Sequence, residues 1–158
     1  SGEEPYTLAM IINDFLKDEV TLWERSVLAT DISTNVLEKA KKGIFYKEEV
    51  NKLPDLYKSK YFKKLNEDQY KLVPDIANHV VFGIFNLMTP QFPFKKKFDV
   101  IFCRNVMIYF EKDVKMKLIS KFYDHLASGG YLFIGQAESI PRNETKFKYV
   151  MPAVYMKE

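Results

Sequence analysis

The chain contains the sequence Ser26-Val-Leu-Ala-Thr-Asp31, a short apolar run that ends in an acid. A run of this length and composition is typical of a strand that is buried on both faces of a parallel sheet. A cap at Ser33 or Thr34 would then begin a helix, and Gly43 would terminate it. Asp31 is therefore predicted at the junction where a strand leads into a helix.

A helix is predicted upstream of this strand, from about Glu4 to Lys17. Pro5 suits the first turn, where its missing N–H costs nothing, and acids at the start suit the positive end of the helix dipole. Apolar residues recur at helical spacing and predict the buried stripe. Its members are Leu8, Ile11, Ile12, Phe15 and Leu16.

Further strands and one long helix follow downstream. The strands are predicted at Val80–Phe85, Phe98–Cys103, Tyr131–Gly135, Phe147–Val150 and Val154–Met156, and the helix at Glu111–Leu126 with Gly129-Gly130 as its breaker. The region of about 45–74 is less regular: Pro54 is predicted to open a short helix to Tyr61, and a turn near Leu65 to form a hairpin, which indicates a small β-subdomain.

Strands that alternate with helices predict an α/β domain with a mostly parallel sheet flanked by helices. No internal repeat interrupts the pattern, so we expect one domain over residues 1–158. Its length is typical of a single domain with a sizeable core.

Composition excludes several classes of function. The 158 residues carry 24 Lys+Arg and 21 Asp+Glu, and a net charge of +3 does not favour binding to nucleic acid or to an anionic membrane. No apolar run approaches the roughly 20 residues of a membrane span. The acidic, polar start of the chain is unlike a signal peptide. The single cysteine excludes a disulfide framework and a multi-thiolate zinc site, so we expect a cytoplasmic protein without a metal.

Polar residues follow the predicted strands at their carboxyl ends. In open α/β sheets, ligands bind outside these ends, so the residues are expected to cluster along one rim. They are Asp31, Asn86, Arg104, Asn105, Gln136 and Glu138.

Asp31 has two interpretations. An acid at this place in a nucleotide-binding unit can accept hydrogen bonds from both ribose hydroxyls. It can equally be a helix N-terminal acid with a capping role. Gly2, just before the first helix, would let a ligand approach the backbone closely. The alternative is that Gly2 belongs to an ordinary loop without a ligand.

Taken together, the motifs are more specific than any one of them. They occur in the order Ser1-Gly-Glu-Glu-Pro-Tyr6, Ala29-Thr-Asp-Ile-Ser33, Val36-Leu-Glu-Lys-Ala-Lys-Lys-Gly-Ile44, Asn86-Leu87, Phe98-Asp-Val-Ile-Phe-Cys-Arg-Asn-Val-Met-Ile-Tyr-Phe110, Gly129-Gly-Tyr-Leu-Phe-Ile-Gly135 and Glu138-Ser139. The chain resembles the catalytic domain of CheR-type chemotaxis receptor methyltransferases over almost its whole length.

The resemblance implies a Rossmann-like, class I fold and an activity. Such enzymes transfer a methyl group from S-adenosylmethionine to glutamate side chains of the cytoplasmic domain of bacterial chemoreceptors, and release S-adenosylhomocysteine. It also implies that the β-subdomain docks on receptors.

The resemblance further implies roles for individual residues. Glu3 or Glu4 would lie by the amino group of the methionine moiety, and Asp31 would bind the ribose. Asn86 and Leu87 would flank the adenine, Arg104 and Asn105 would lie beneath the methionyl end and the reaction centre, and Tyr109 would point toward the transferred methyl group.

Members of the family carry a strand and a glycine-rich turn before the Ser-Gly-Glu-Glu motif, and a helical domain upstream. The chain therefore reads as a piece lacking the first strand of the sheet, and it should bind S-adenosylmethionine weakly by itself. Open sheet edges would favour a strand-exchanged dimer. A truncated, inactive module that binds S-adenosylmethionine or a partner is the alternative, and methyl transfer to a small molecule is a further one.

Methyl transfer to a carboxylate needs no general base, since a glutamate with a pKa near ~4.3 is already ionised at pH 7. Orientation is then the main task of the enzyme. Arg104 is the candidate to hold the acceptor carboxylate, and its alternative is a salt bridge that supports the rim. Tyr109 could orient the acceptor or contact the donor, or simply pack in a loop.

Overall fold

The chain divides into two units, Ser1–Asn86 and Leu87–Glu158. The computed structural model describes residues 2–16 and 24–158. None of the helices in these ranges is long and apolar enough to cross a membrane.

The first unit alternates helices with strands. Its elements are α1 (Glu3–Leu16), β1 (Val27–Asp31), α2 (Thr34–Lys41), β2 (Ile44–Tyr46), α3 (Lys47–Val50), α4 (Asp55–Tyr61), β3 (Phe62–Lys64), β4 (Gln69–Leu72), α5 (Pro74–Ala77) and β5 (Val80–Ile84). Strands β1 and β5 pair in parallel, with Val27 opposite Val80 and Asp31 opposite Ile84. The carboxyl ends of both strands therefore meet at one edge of the pair.

Helix α1 forms where it is expected, but the predicted buried stripe is wrong. Phe15 is 83% exposed and Ile11 is 49% exposed, whereas Tyr6, Ala9 and Met10 are buried. The buried face has the i, i+3, i+4 spacing of a helix, but it is built on an aromatic residue with a hydroxyl and on alanine. The predicted end at Lys17 lies outside the described residues.

Tyr6 explains why this face turns inward. Its hydroxyl donates a hydrogen bond to the Ala40 carbonyl at 2.9 Å, and its ring makes edge contacts with Phe45 and Phe82. Burial raises the pKa of its hydroxyl. Burial of this large ring costs little because its hydroxyl keeps a hydrogen-bond partner.

Strand β1 is half-buried on one face and exposed on the other, so the prediction of burial on both faces is wrong. Leu28 is 40% exposed and its partner Val81 is 56% exposed. The alternate residues Val27 and Ala29 pack with the core cluster that contains Tyr6. A short apolar run therefore does not distinguish one buried face from two.

Strands β2, β4 and β3 form a separate antiparallel sheet in that order. The predicted hairpin is confirmed, since β3 pairs with β4 and the Leu65 N–H donates to the Gln69 carbonyl at 2.9 Å. The predicted helix after Pro54 also forms, as α4. This sheet occupies the region of the predicted β-subdomain.

A polar cluster fixes α1 to α4. The Asp14 carboxylate contacts Lys60 at 2.5 Å and accepts hydrogen bonds from the hydroxyls of Tyr57 and Tyr61. The hydrogen bond from Lys60 is the main reason why the pKa of Asp14 is lowered. The cluster fixes the position of α1 along its length, and with it the position of the helix start.

The second unit contains β6 (Phe98–Cys103), a 3₁₀ turn (Met107–Tyr109), α6 (Lys112–His125), β7 (Leu126–Ile134), β8 (Lys148–Met151) and β9 (Val154–Met156). Its sheet has the order β6-β7-β9-β8. Strands β6 and β7 are parallel, and the other two pairs are antiparallel. The α/β class is thus confirmed: this sheet is mixed, the β1–β5 pair is parallel, and the sheet of β2, β4 and β3 is antiparallel.

Helix α6 buries one of its faces. Leu118, Ile119 and Phe122 are buried in one cluster with Leu132 and Ile134 of β7. Cys103 belongs to this cluster as a buried free thiol. The helix ends at His125 and β7 begins directly after it, so the glycine pair lies inside the strand rather than between the two elements.

Gly130 is needed there because the chain is crowded. A Cβ at this position would lie 2.9 Å from the carbonyl oxygens of Asp99 and Ala127. Gly129 adopts a φ of 77°, which residues with side chains rarely take. The two glycines let β7 start next to β6.

Candidate functional site

Asp31 ends β1 and leads into α2. Its Oδ1 atom accepts a hydrogen bond from the Ser33 N–H at 2.8 Å, and the Ser33 side chain caps α2 by accepting from the Val36 N–H at 3.4 Å. No other hydrogen bond to the carboxylate occurs within residues 2–16 and 24–158, so Oδ2 can accept from a ligand. The capping and the ligand-binding interpretations are thus compatible, since each uses a different oxygen.

Asn86 comes two residues after β5, at the same edge as Asp31. The Phe85 N–H donates to the Asp31 carbonyl at 3.1 Å, which continues the parallel ladder past the last residue of β5. Asn86 is exposed. The predicted ribose acid and one of the residues predicted to flank the adenine therefore lie at one edge of the β1–β5 pair.

The first turn of α1 carries the predicted acids. Glu3 is exposed, Glu4 is half-buried, and Gly2 precedes them with a φ of 99°. A Cβ on Gly2 would lie 3.2 Å from Ala40 Cβ, so the turn packs closely on the end of α2. Tyr6, one turn further on, fixes this helix start against β5 through Phe82.

Leu87 begins the second unit and is fixed by Lys121 of α6. The Lys121 ammonium donates to the carbonyls of Leu87 and Thr89, both at 2.8 Å, and lies over the Phe92 ring. Burial lowers the pKa of this ammonium. Lys121 was not among the predicted site residues, and the sequence holds no signal for it, because a lysine on a helix usually points to solvent.

Replacing Lys121 with methionine should destabilise the segment around Leu87. The apolar stem is kept, but two carbonyls lose a charged donor, so we expect a loss of about 1–2 kcal/mol in the free energy of unfolding. Urea unfolding of the full-length protein measures this loss. Lys117→Met on the exposed side of α6 is the control, and an equal effect of both variants would contradict the role of Lys121.

Arg104 and Asn105 follow directly after β6, and both are exposed. Asn105 adopts a left-handed φ of 59°, a conformation that asparagine tolerates better than most residues. The 3₁₀ turn comes next and is anchored by Met107, which is only 1% exposed. Tyr109 at its end is 79% exposed, so its ring is available to a ligand.

A cavity of about 290 Å³ opens beside Arg104. Gln136, which follows β7, lies on its wall together with the rings of Phe102 and Phe133. The two rings stack with centroids 4.5 Å apart and planes 4° apart. The cavity therefore combines a guanidinium and an amide with an aromatic wall, which suits a side chain with an apolar stem and a carboxylate end.

Glu138 follows β7, but unlike Asn86, Arg104 and Asn105 it is not exposed at the strand end. It is buried, at 6% exposure, and it contacts the backbone of the segment that carries Tyr109. The sequence predicts Glu138 near the end of a strand. It does not predict the burial of its side chain, because a glutamate is normally exposed.

The predicted site residues divide between the two units. The first unit holds Glu3, Glu4, Asp31 and Asn86, and the second holds Leu87, Arg104, Asn105 and Tyr109. Within each unit they lie at a helix start, at carboxyl ends of strands or in the segments that follow, as expected. Their individual roles stay predictions.

The family match and similar curated proteins point to the same family. Residues 1–156 match the family described as CheR methyltransferase, SAM binding domain. The chemotaxis protein methyltransferase of Borreliella burgdorferi is 42% identical over 157 residues, which are 99% of this chain and 55% of that protein. The one of Escherichia coli is 37% identical over 158 residues, which are 98% of this chain and 54% of that protein.

The chain thus spans about half the length of the curated relatives that it matches. The match extends over nearly the whole chain and includes both units, with the strand-end residues of each. The chain belongs to the CheR methyltransferase family, in which it is the S-adenosylmethionine-binding domain with a Rossmann-like α/β fold.

Proposed function

We propose that the full-length protein that carries this chain methylates glutamate side chains in the cytoplasmic domain of chemoreceptors, with S-adenosylmethionine as the methyl donor. The observation that carries the proposal is the likeness, over nearly the whole chain, to relatives named chemotaxis protein methyltransferase. We infer that it acts in the cytoplasm, where this part of a receptor lies.

The residues of the first unit fit the donor. The Asp31 carboxylate has one oxygen for the ribose hydroxyls, while its other oxygen holds Ser33. The acids of the first turn of α1 offer a negative charge to the ammonium of the methionine moiety. Asn86 supports the adenine from the end of β5. Carboxylates for hydroxyls and for an ammonium group are a chemically suitable donor set.

The residues of the second unit fit the acceptor. Arg104 borders the cavity of about 290 Å³, and its planar fork can hold a glutamate carboxylate through two hydrogen bonds. The exposed Tyr109 ring can orient the acceptor near the reaction centre. For Asn105 and Leu87 we keep the roles that the family resemblance implies, at the methionyl end of the donor and beside its adenine.

When bound, S-adenosylmethionine supplies a methyl group on a sulfonium, an electrophile that needs no further activation. The acceptor is already a carboxylate at neutral pH, so no residue of this chain has to remove a proton. The chain holds the acceptor in line and keeps water away, and alignment of two reactants can lower a barrier by roughly 7–11 kcal/mol.

We propose that the antiparallel sheet of β2, β4 and β3 is a small subdomain, within the one methyltransferase domain over residues 1–158, that docks on the receptor. The tip of its hairpin, from Lys63 to Asp68, is exposed, and its residues are polar or charged except for Leu65. It is thus available to a large protein substrate. A small-molecule methyltransferase would have no need of such a contact.

The chain by itself should form a strand-exchanged dimer. Among the described residues, β1 pairs with β5 alone and β6 pairs with β7 alone, so each strand presents an edge that can accept a further strand. Light scattering of this chain over a range of concentrations measures its molar mass in solution, which should be that of two copies. A monomer at all concentrations would contradict exchange.

Labelled S-adenosylmethionine tests the proposed function. The full-length protein is incubated with receptor cytoplasmic fragments and, separately, with a mixture of small metabolites. We expect label in the receptor. Label in metabolites alone would indicate a small-molecule enzyme, and binding of the donor without any transfer would indicate a binding module.

A further inference from the structure

Glu138 is the buried charged side chain of the part of the chain that the structure describes, with 6% exposure. Both of its carboxylate oxygens accept hydrogen bonds from backbone N–H groups. Oε2 accepts from Gly135 at 2.5 Å, and Oε1 accepts from Ile108 at 3.1 Å. Glu138 therefore joins the end of β7 to the 3₁₀ turn that carries Tyr109.

The contact continues to Asn105. A Cβ on Gly135 would lie 2.7 Å from Asn105 Oδ1, 2.8 Å from Glu138 Oε2 and 3.1 Å from the Asn105 backbone nitrogen. Gly135, Glu138 and Asn105 are therefore packed without room for one more carbon. Asn105, in its left-handed conformation, is the residue directly after Arg104.

Burial of a carboxylate is costly unless its oxygens are hydrogen-bonded, and an apolar residue would fill the same space without that cost. A carboxylate, unlike an apolar residue, can accept charge-assisted hydrogen bonds from two separate pieces of backbone and so fix both in direction. One of these pieces is the 3₁₀ turn, held at its middle residue Ile108, and the next residue, Tyr109, is 79% exposed.

We propose that Glu138 is a positioning residue, which fixes the segment from Arg104 to Tyr109 in the geometry that methyl transfer needs. It touches neither donor nor acceptor and acts through the backbone of Ile108 and through Asn105. This inference rests on the proposed function, since it assigns Glu138 a part in that same reaction.

Glu138→Gln is the test variant, because it keeps the shape and leaves one acceptor for two N–H groups. In the full-length protein, kcat for receptor methylation should fall about ten- to hundredfold, since small misplacement of reacting groups costs this much. The affinity for S-adenosylmethionine should fall much less. Glu144→Gln, a matched exposed glutamate paired with Lys112, should leave kcat unchanged.

Two further variants separate positioning from a loss of folding. Gly135→Ala keeps the glutamate in the sequence but presses a methyl group against both Asn105 and the Glu138 carboxylate, and it should lower kcat in the same way. In a double-mutant cycle, Tyr109→Phe should have a smaller effect in the Glu138→Gln background than in the wild type. Additive effects in this cycle, or an unchanged kcat in Glu138→Gln, would overturn the proposal.

Amide hydrogen exchange gives a readout that does not depend on the substrate. Glu138→Gln should speed exchange at Ile108 and leave exchange at the buried Leu132 unchanged. If the wild-type protein does not methylate receptors, the proposed function fails, and faster exchange confined to the turn still supports the positioning role. Unchanged exchange at Ile108 would overturn it.

Discussion

Replacing Arg104 with alanine should lower kcat/KM for receptor methylation by about 10²–10³-fold, the loss expected when one partner of a desolvated charge pair is removed. Arg104→Lys keeps the charge but not the fork, so it should recover only part of this loss. The affinity for S-adenosylmethionine, measured by calorimetry, should change far less than the turnover. This split between binding and turnover marks a residue that holds the acceptor.

Arg142→Lys is the control for Arg104. Arg142 lies in the same unit and stacks on the ring of Tyr149, with 3.8 Å from Cζ to the ring centroid. It takes no part in the proposed site, so methylation should be unchanged. If Arg104→Ala kept full turnover, the carboxylate would have to be held by another residue, and Arg104 would be a rim residue without a role in the reaction.

Asp31→Asn should weaken binding of S-adenosylmethionine by about 1–3 kcal/mol, or roughly 5–150-fold, because a charged acceptor for the ribose is lost. Asparagine is the sharper choice than alanine, since its Oδ1 atom can still accept from the Ser33 N–H. Helix α2 should therefore keep its start. Calorimetry on the full-length protein measures the affinity for the donor and for S-adenosylhomocysteine.

The control for Asp31 removes the cap and keeps the acid. Ser33→Ala loses the bond to the Val36 N–H and should cost helix stability, about 0.5–2 kcal/mol. It should leave the affinity for the donor almost unchanged. An equal loss of affinity in both variants would mean that Asp31 acts only by holding α2, and an unchanged affinity in a folded Asp31→Asn would remove it from the site.

Local signals predicted most of the elements. Ser33 caps α2, Gly43 ends it with a φ of 60°, and β5 and β6 form within a residue or two of their predicted bounds. These features depend on neighbours in the sequence. The prediction of the buried face of α1 is wrong because that face depends on distant partners. Tyr6 turns inward to reach Ala40, which is 34 positions away.

The same distinction applies to the site. Asp31, Asn86 and Arg104 were predicted because strand ends are a property of the local pattern and of the fold class. Lys121 and Glu138 owe their roles to backbone groups 34 and 30 positions away. A lysine and a glutamate are normally surface residues, so their burial could only be seen in the structure.

One measurement tests the central claim most directly. The full-length protein is incubated with a receptor cytoplasmic fragment and S-adenosylmethionine that carries a deuterated methyl group, and the receptor peptides are analysed by tandem mass spectrometry. We predict deuterated methyl esters on glutamate side chains, which disappear with Arg104→Ala. Deuterated methyl groups on nitrogen, or a receptor without label while the donor is consumed, would contradict the account.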